Sequence, residues 1–164
     1  MRLTLVFFGF VLLQACSSHP SDQDMIAEYR VKKDSFDALA DMAEADAEFS
    51  RISYDFVHPD WSLPEEERPT TLPDDRWSDY RRRFADLELE SGLTIYQDAI
   101  VLERSSSGLA TAGSSKGFLR SENLPTGVVL LEGHANLDCD VVTEGSCAVA
   151  KKLDRNWFLL LERH

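Results

Sequence analysis

The sequence predicts an α+β fold, with two N-terminal helices packed on an antiparallel β-sheet of about five to seven strands. Three observations carry this. Apolar residues recur at helical spacing between residues 24 and 50, and again between 76 and 89. At Ser91-Gly92 the period changes to short strand-like runs. The links between those runs are too short for crossovers, so neighbouring strands must be antiparallel.

The first helix starts after Ser21, a candidate N-cap with the carboxylate of Asp24 three residues on. Over Asp24 to about Ser50, residues Met25, Tyr29, Phe36, Leu39, Ala40, Ala43 and Ala47 share one face. Asp34, Asp37, Asp41, Glu44, Asp46 and Glu48 lie between them and read as a solvated face. A cation site would need carboxylates converging from another element as well.

Residues 55–75 break the pattern. Pro59, Pro64, Pro69 and Pro73 fall here, and each removes a backbone donor and fixes φ. Phe56 and Trp61 are expected to pin this long connection to the surface. Asp74 or Asp75 then caps a second helix, Arg76 to about Leu89. Its apolar stripe is Trp77, Tyr80, Phe84 and Leu87. The run Arg81-Arg82-Arg83 suggests an anion site, but successive helical side chains fan apart. Asp79 and Asp86 lie four residues from Arg83 and Arg82, so a salt-bridged solvated face is expected.

Beyond Gly92, Leu93–Gln97 and Ala99–Arg104 read as a hairpin, and Ser105–Gly108 as a second turn. Leu109–Gly113 and Gly117–Arg120 read as short strands, or one bent strand, around Ser114–Lys116. Val128–Gly133, Ala148–Leu153 and Trp157–Glu162 complete the set. The helical part is thus 24–90 and the β part 92–164, within a single domain of residues 24–164.

The 164 residues carry 17 basic and 29 acidic side chains, net −12. With no basic footprint, nucleic acid is not expected as a partner. Anionic headgroups would also repel the domain's own surface. The charge is uneven. Residues 22–90 hold 20 acids and 9 bases, whereas 91–164 hold 9 acids and 7 bases.

At the N-terminus, Arg2 precedes the apolar run Leu3–Leu13, which is too short to span a bilayer as a helix and suits a cleaved signal. Leu13-Gln14-Ala15-Cys16 follows. This stretch resembles the lipobox of bacterial lipoprotein precursors. The resemblance implies a signal peptide over 1–15, lipid on Cys16 and a short lipidated tether over 16–23. Several acyl chains on one residue would make a stable anchor. Ser17 implies an outer-membrane location facing the periplasm. With Cys16 assigned to lipid, Cys139 and Cys147 remain, and the oxidising periplasm implies a disulfide between them. Seven residues separate the two, unlike a redox motif, and no second pair exists for zinc.

Few motifs carry chemistry. Gly113-Ser114-Ser115-Lys116-Gly117 matches G-x-S-x-G, the nucleophile elbow of α/β-hydrolases, with Ser115 as nucleophile. That motif needs a following helix, yet Phe118-Leu119-Arg120 continues as strand. The only later histidine after the candidate acids Asp138 and Asp140 is the terminal His164. Glycines flanking a bend are the simpler reading. Ser115 and Lys116 are adjacent, which is the wrong spacing for a Ser-x-x-Lys dyad. His134, Asp138 and Asp140 are conceivable metal ligands with nothing to fix their geometry. No metal and no cofactor is expected. The expectation is a lipid-anchored, periplasm-facing envelope protein of non-enzymatic type, a binding or adaptor module for an envelope protein partner. The alternatives are a small-ligand carrier and a tethered serine hydrolase using Ser115.

Overall fold

A computed structural model describes residues 19–109, 112–133, 136–141 and 145–164. The signal region, Cys16 and His134 lie outside the described residues. Helix α1 is Asp22–Ala45, and the Ser21 hydroxyl accepts from the Asp24 N–H as its cap. The helix starts two residues earlier than expected and ends five residues sooner. It is kinked at Lys32 (φ −107°, ψ 16°), where Lys32 Nζ reaches the carbonyl of Asp86. Its buried stripe is Met25, Tyr29, Phe36, Leu39, Ala40, Met42 and Ala43. Ala47 falls past the helix end and is exposed.

Two short strands follow, β1 (Phe49–Ile52) and β2 (Val57–Pro59). They lie between the helices: β2 falls inside the expected proline-rich connection 55–75, and β1 lies just before it, at the expected end of the first helix. Both are too short to show a period in sequence, and β2 runs into a proline. Leu72 is the residue that fixes the proline-rich connection, with 3% of its surface exposed. Trp61 stays exposed, with the Arg68 guanidinium 5.1 Å from its ring centre.

Helix α2 is Asp74–Asp86. Its N-cap position is Pro73 and no side chain caps it, so neither Asp74 nor Asp75 has that role. The helix ends with Glu88 in the left-handed region (φ 50°), and the Leu89 N–H returns to the Phe84 carbonyl at 2.8 Å. The arginine run divides as geometry requires. Arg81 stacks on Trp77 and donates to the Tyr54 carbonyl, and Arg82 pairs with Asp79.

The remaining strands are β3 (Gly92–Tyr96), β4 (Ala99–Leu109), β5 (Ala112–Ser121), β6 (Val128–Leu130), β7 (Cys147–Lys152) and β8 (Trp157–Arg163). All eight form one sheet in the order β2-β1-β3-β4-β5-β8-β7-β6. That exceeds the five to seven expected. The sheet is mixed, because β6 pairs with β7 in parallel. The longer link between those two strands, which contains Cys139, permits this direction.

Ser105–Gly108, read as a turn, belongs to β4. Ser106 pairs with Ser115 and Gly108 with Gly113. The serine-rich run is therefore one long arm of a hairpin with β5, which is one continuous strand. A register shift between Glu103 and Ser105 interrupts the ladder. Gly117 sits beside it, and a Cβ there would lie 2.2 Å from the Leu102 carbonyl oxygen. The glycine permits this close approach of two backbones.

Both helices cover one face of the sheet. Phe36 lies 4.4 Å from Phe118 between ring centres, and Tyr29 and Trp157 complete the aromatic cluster. Leu39, Tyr80, Phe84, Leu93 and Leu102 extend it across the sheet. Burying side chains of this size contributes roughly 1.5–3 kcal/mol each before conformational entropy is subtracted.

Candidate functional site

Alternation along the strands gives the sheet a second face. Arg51, Thr94, Val101, Leu119 and Phe158 form one row through the register of β1, β3, β4, β5 and β8. No helix covers this outer face among the described residues. A second apolar cluster lies on it, built of Ala99, Leu119, Ala150, Phe158 and Leu160, with Val101, Leu124 and Val128 against it. The segment between β5 and β6 folds over one side as a rim. The Ser121 hydroxyl donates to the Asp98 carbonyl at 2.8 Å, and the Val128 N–H to the Pro125 carbonyl at 3.1 Å. Together the sheet and this rim enclose an open groove of about 1370 Å³.

Glu162 lies in this groove, opposite Ser115 on β5 and Ala148 on β7. Burial pushes its carboxyl pKa up. His164 pulls it down, Glu103 raises it, and a hydrogen bond from Ser115 lowers it again. Ser115 thus sits across the β5–β8 ladder from a carboxylate. It stands in mid-strand, with no turn and no helix after it. The elbow reading of Gly113–Gly117 fails on that geometry. The backbone of His164 is held, since its N–H donates to the Gly113 carbonyl at 2.9 Å.

A second constellation lies at the start of α1. Asp22 is buried and accepts from Lys116 Nζ at 2.7 Å, Lys151 Nζ at 3.4 Å and the Leu137 N–H at 2.8 Å. Lys116 also donates to the Pro20 carbonyl. Burial alone would raise the Asp22 carboxyl, but the lysines and the Leu137 N–H outweigh it and hold the pKa low. His19 bridges Ser105 and Ser114, at 2.8 Å and 2.7 Å. Burial depresses its pKa, Lys116 adds to this, and Glu90 opposes it. An imidazole therefore does meet a serine here, but the serine is Ser114. The other ring nitrogen meets the Ser105 hydroxyl where a catalytic triad places a carboxylate. The expected tether over 16–23 is thus tied to the sheet from His19 onward.

These residues were legible only in part. Lys116 shares strand parity with Phe118 and so faces the core, which marks it as a buried lysine needing a carboxylate. Nothing in the sequence pairs it with Asp22, 94 positions away. Glu162 shows no motif at all.

Cys139 and Cys147 form a disulfide, with Cα atoms 5.8 Å apart. It ties the short helical turn Cys139–Val141 to the start of β7. Asp138 and Asp140 each have another partner. Asp138 accepts from the Asp140 N–H, and Asp140 faces Arg163 at 3.7 Å. Among the described residues no group of three or more His, Cys, Asp or Glu is placed to hold a metal ion. No helix among them is long and apolar enough to cross a membrane. Compared with known protein families, curated proteins and solved structures, the chain matches none.

Proposed function

We propose that this chain is a lipid-anchored, periplasm-facing envelope protein that acts as a binding or adaptor module. Lipid on Cys16 holds it at the outer membrane, and the outer sheet face receives an envelope protein partner. The observation that supports a docking role is the groove itself. One face of the sheet buries its apolar residues under two helices, while the other keeps an apolar cluster beneath an open groove. A lined concavity of this kind is the default binding-site hypothesis.

Two experiments test the two halves. Labelled palmitate is expected to enter the native protein and not the Cys16→Ser variant. Equal labelling of both removes the anchor. A photo-crosslinking residue at Tyr96, 55% exposed beside the groove, is expected to give a discrete adduct in cells. The same residue at Val31, 85% exposed on α1, is expected to give none. Adducts from Val31 alone would place docking on the helices instead.

A further inference from the structure

We infer that the outer groove accepts a basic, amphipathic segment of its protein partner, with a lysine or arginine of that segment seated at Glu162. This rests on the docking reading above and names the chemistry of the occupant. Three features of the groove converge on it.

The floor is apolar. Leu119, Phe158 and Leu160 are covered, and Val101, Leu124 and Val128, half-buried against them, line the open volume and offer the apolar surface. A partner segment must therefore bring apolar side chains. The charge is one-sided. Asp98, Glu122 and Glu162 line the groove, and none of them has an ion-pair partner among the described residues. The arginine among the lining residues, Arg120, is already met by Asp41 at 2.6 Å and Glu44 at 3.4 Å. It belongs to the contact with α1. A cation from outside would supply the missing opposite charge. Finally, the size suits a chain segment. Small-molecule pockets run roughly 300–1000 Å³ and enclose their ligand, whereas this groove is larger and open along one side.

Glu162 is the residue that converts general attraction into position. Asp98 and Glu122 are exposed at the rim. Rim charges chiefly steer encounter and are screened by salt. Glu162 is half-buried, with Ser115, Glu103, Tyr96 and His164 around it. A charge-assisted hydrogen bond formed there is shielded from water, and is worth about twice a neutral one. Tyr96 at the groove offers a ring face to the same cation.

The test uses the full-length chain in lipid nanodiscs and a short synthetic peptide of alternating leucine and lysine. The peptide is expected to bind and to shift the amide signals of Val128 and Leu160 more than those of α1. Glu162→Gln is expected to weaken it about tenfold, the loss of one charge-assisted contact. Glu66→Gln removes the same charge from an exposed turn outside the groove and is expected to leave affinity unchanged. A leucine–glutamate peptide is expected not to bind. Equal weakening by both substitutions, no weakening by Glu162→Gln, or binding of the leucine–glutamate peptide would each overturn the assignment. Adducts from position 96 in cells, together with an unaffected Glu162→Gln variant, would leave the docking face standing and remove the basic occupant.

Discussion

The two faces of the sheet come from the same strands and have opposite fates. On β5, Phe118 points into the helix-covered core while its neighbour Leu119 belongs to the outer cluster. On β8, Leu159 and Leu160 divide in the same way. Composition does not separate the faces, since both are rich in leucine and phenylalanine. What separates them is cover. The inner face meets two amphipathic helices and an aromatic cluster, and it sets stability. The outer face meets a short rim and keeps an open volume. A residue's apparent hydrophobicity therefore says little about its role until the layer above it is known.

That contrast breaks at the inner face first. Phe36→Ala is expected to lose about 3–5 kcal/mol, measured by urea unfolding, because the ring is fully covered and touches Phe118, Tyr29 and Trp157. Lys116→Ala is expected to cost a comparable 3–5 kcal/mol, since it leaves Asp22 buried without its closest cation. The Asp22 pKa is held low, so the stability it contributes is present above the ordinary carboxylate range. That stability is lost as pH falls through the lowered value. Acid unfolding of the parent is expected to shift to higher pH in Lys116→Ala.

Replacing Cys139 and Cys147 by serine is expected to cost about 2.5 kcal/mol, from the small loop that the bond closes. A loss near zero would show that the loop is already ordered by its other contacts.

The outer face gives the smallest effects on stability. Tyr96→Ser is expected to change it by less than about 0.5 kcal/mol while removing cross-links to a partner. Glu162→Gln is expected to stabilise at about pH 7. Its carboxyl pKa is raised by burial, so the folded state resists ionisation, and stability falls as pH rises from the ordinary carboxyl value through the raised one. Near pH 3, where both states are protonated, parent and variant are expected to melt together. Variants at Tyr96 that unfold the protein, or at Phe36 that do not, would erase the distinction between the faces.

The sequence carried the helices and the apolar stretches of the strands, where the periods are unbroken. Tyr80 and Phe84 lie where spacing put them, and Trp157 to Leu160 are buried as a continuous apolar run suggests. β1 and β2 were hidden, because four and three residues are too few to show alternation. Serine and glycine in β4 resemble turn chemistry, and only pairing with β5 makes them strand. The parallel pair β6–β7 depends on a link whose path no local signal sets. The groove was illegible for a related reason. Its residues come from six strands, the rim between β5 and β6 and the end of α1, and its openness is a property of what does not pack there.

The two sheet edges limit how any partner can approach. β2 and β6 are three residues each, and β2 ends in Pro59, which has no N–H to offer. An incoming strand would find only three residues of ladder on β2 or on β6, so extension of the sheet from these two edge strands is disfavoured. Val129 and Leu130 remain exposed on β6, but the strand that carries them is too short to template a fibre. In the proposed docking, recognition is then read through side chains on a face and not through backbone at these edges. It can discriminate among sequences in a way that strand addition does not.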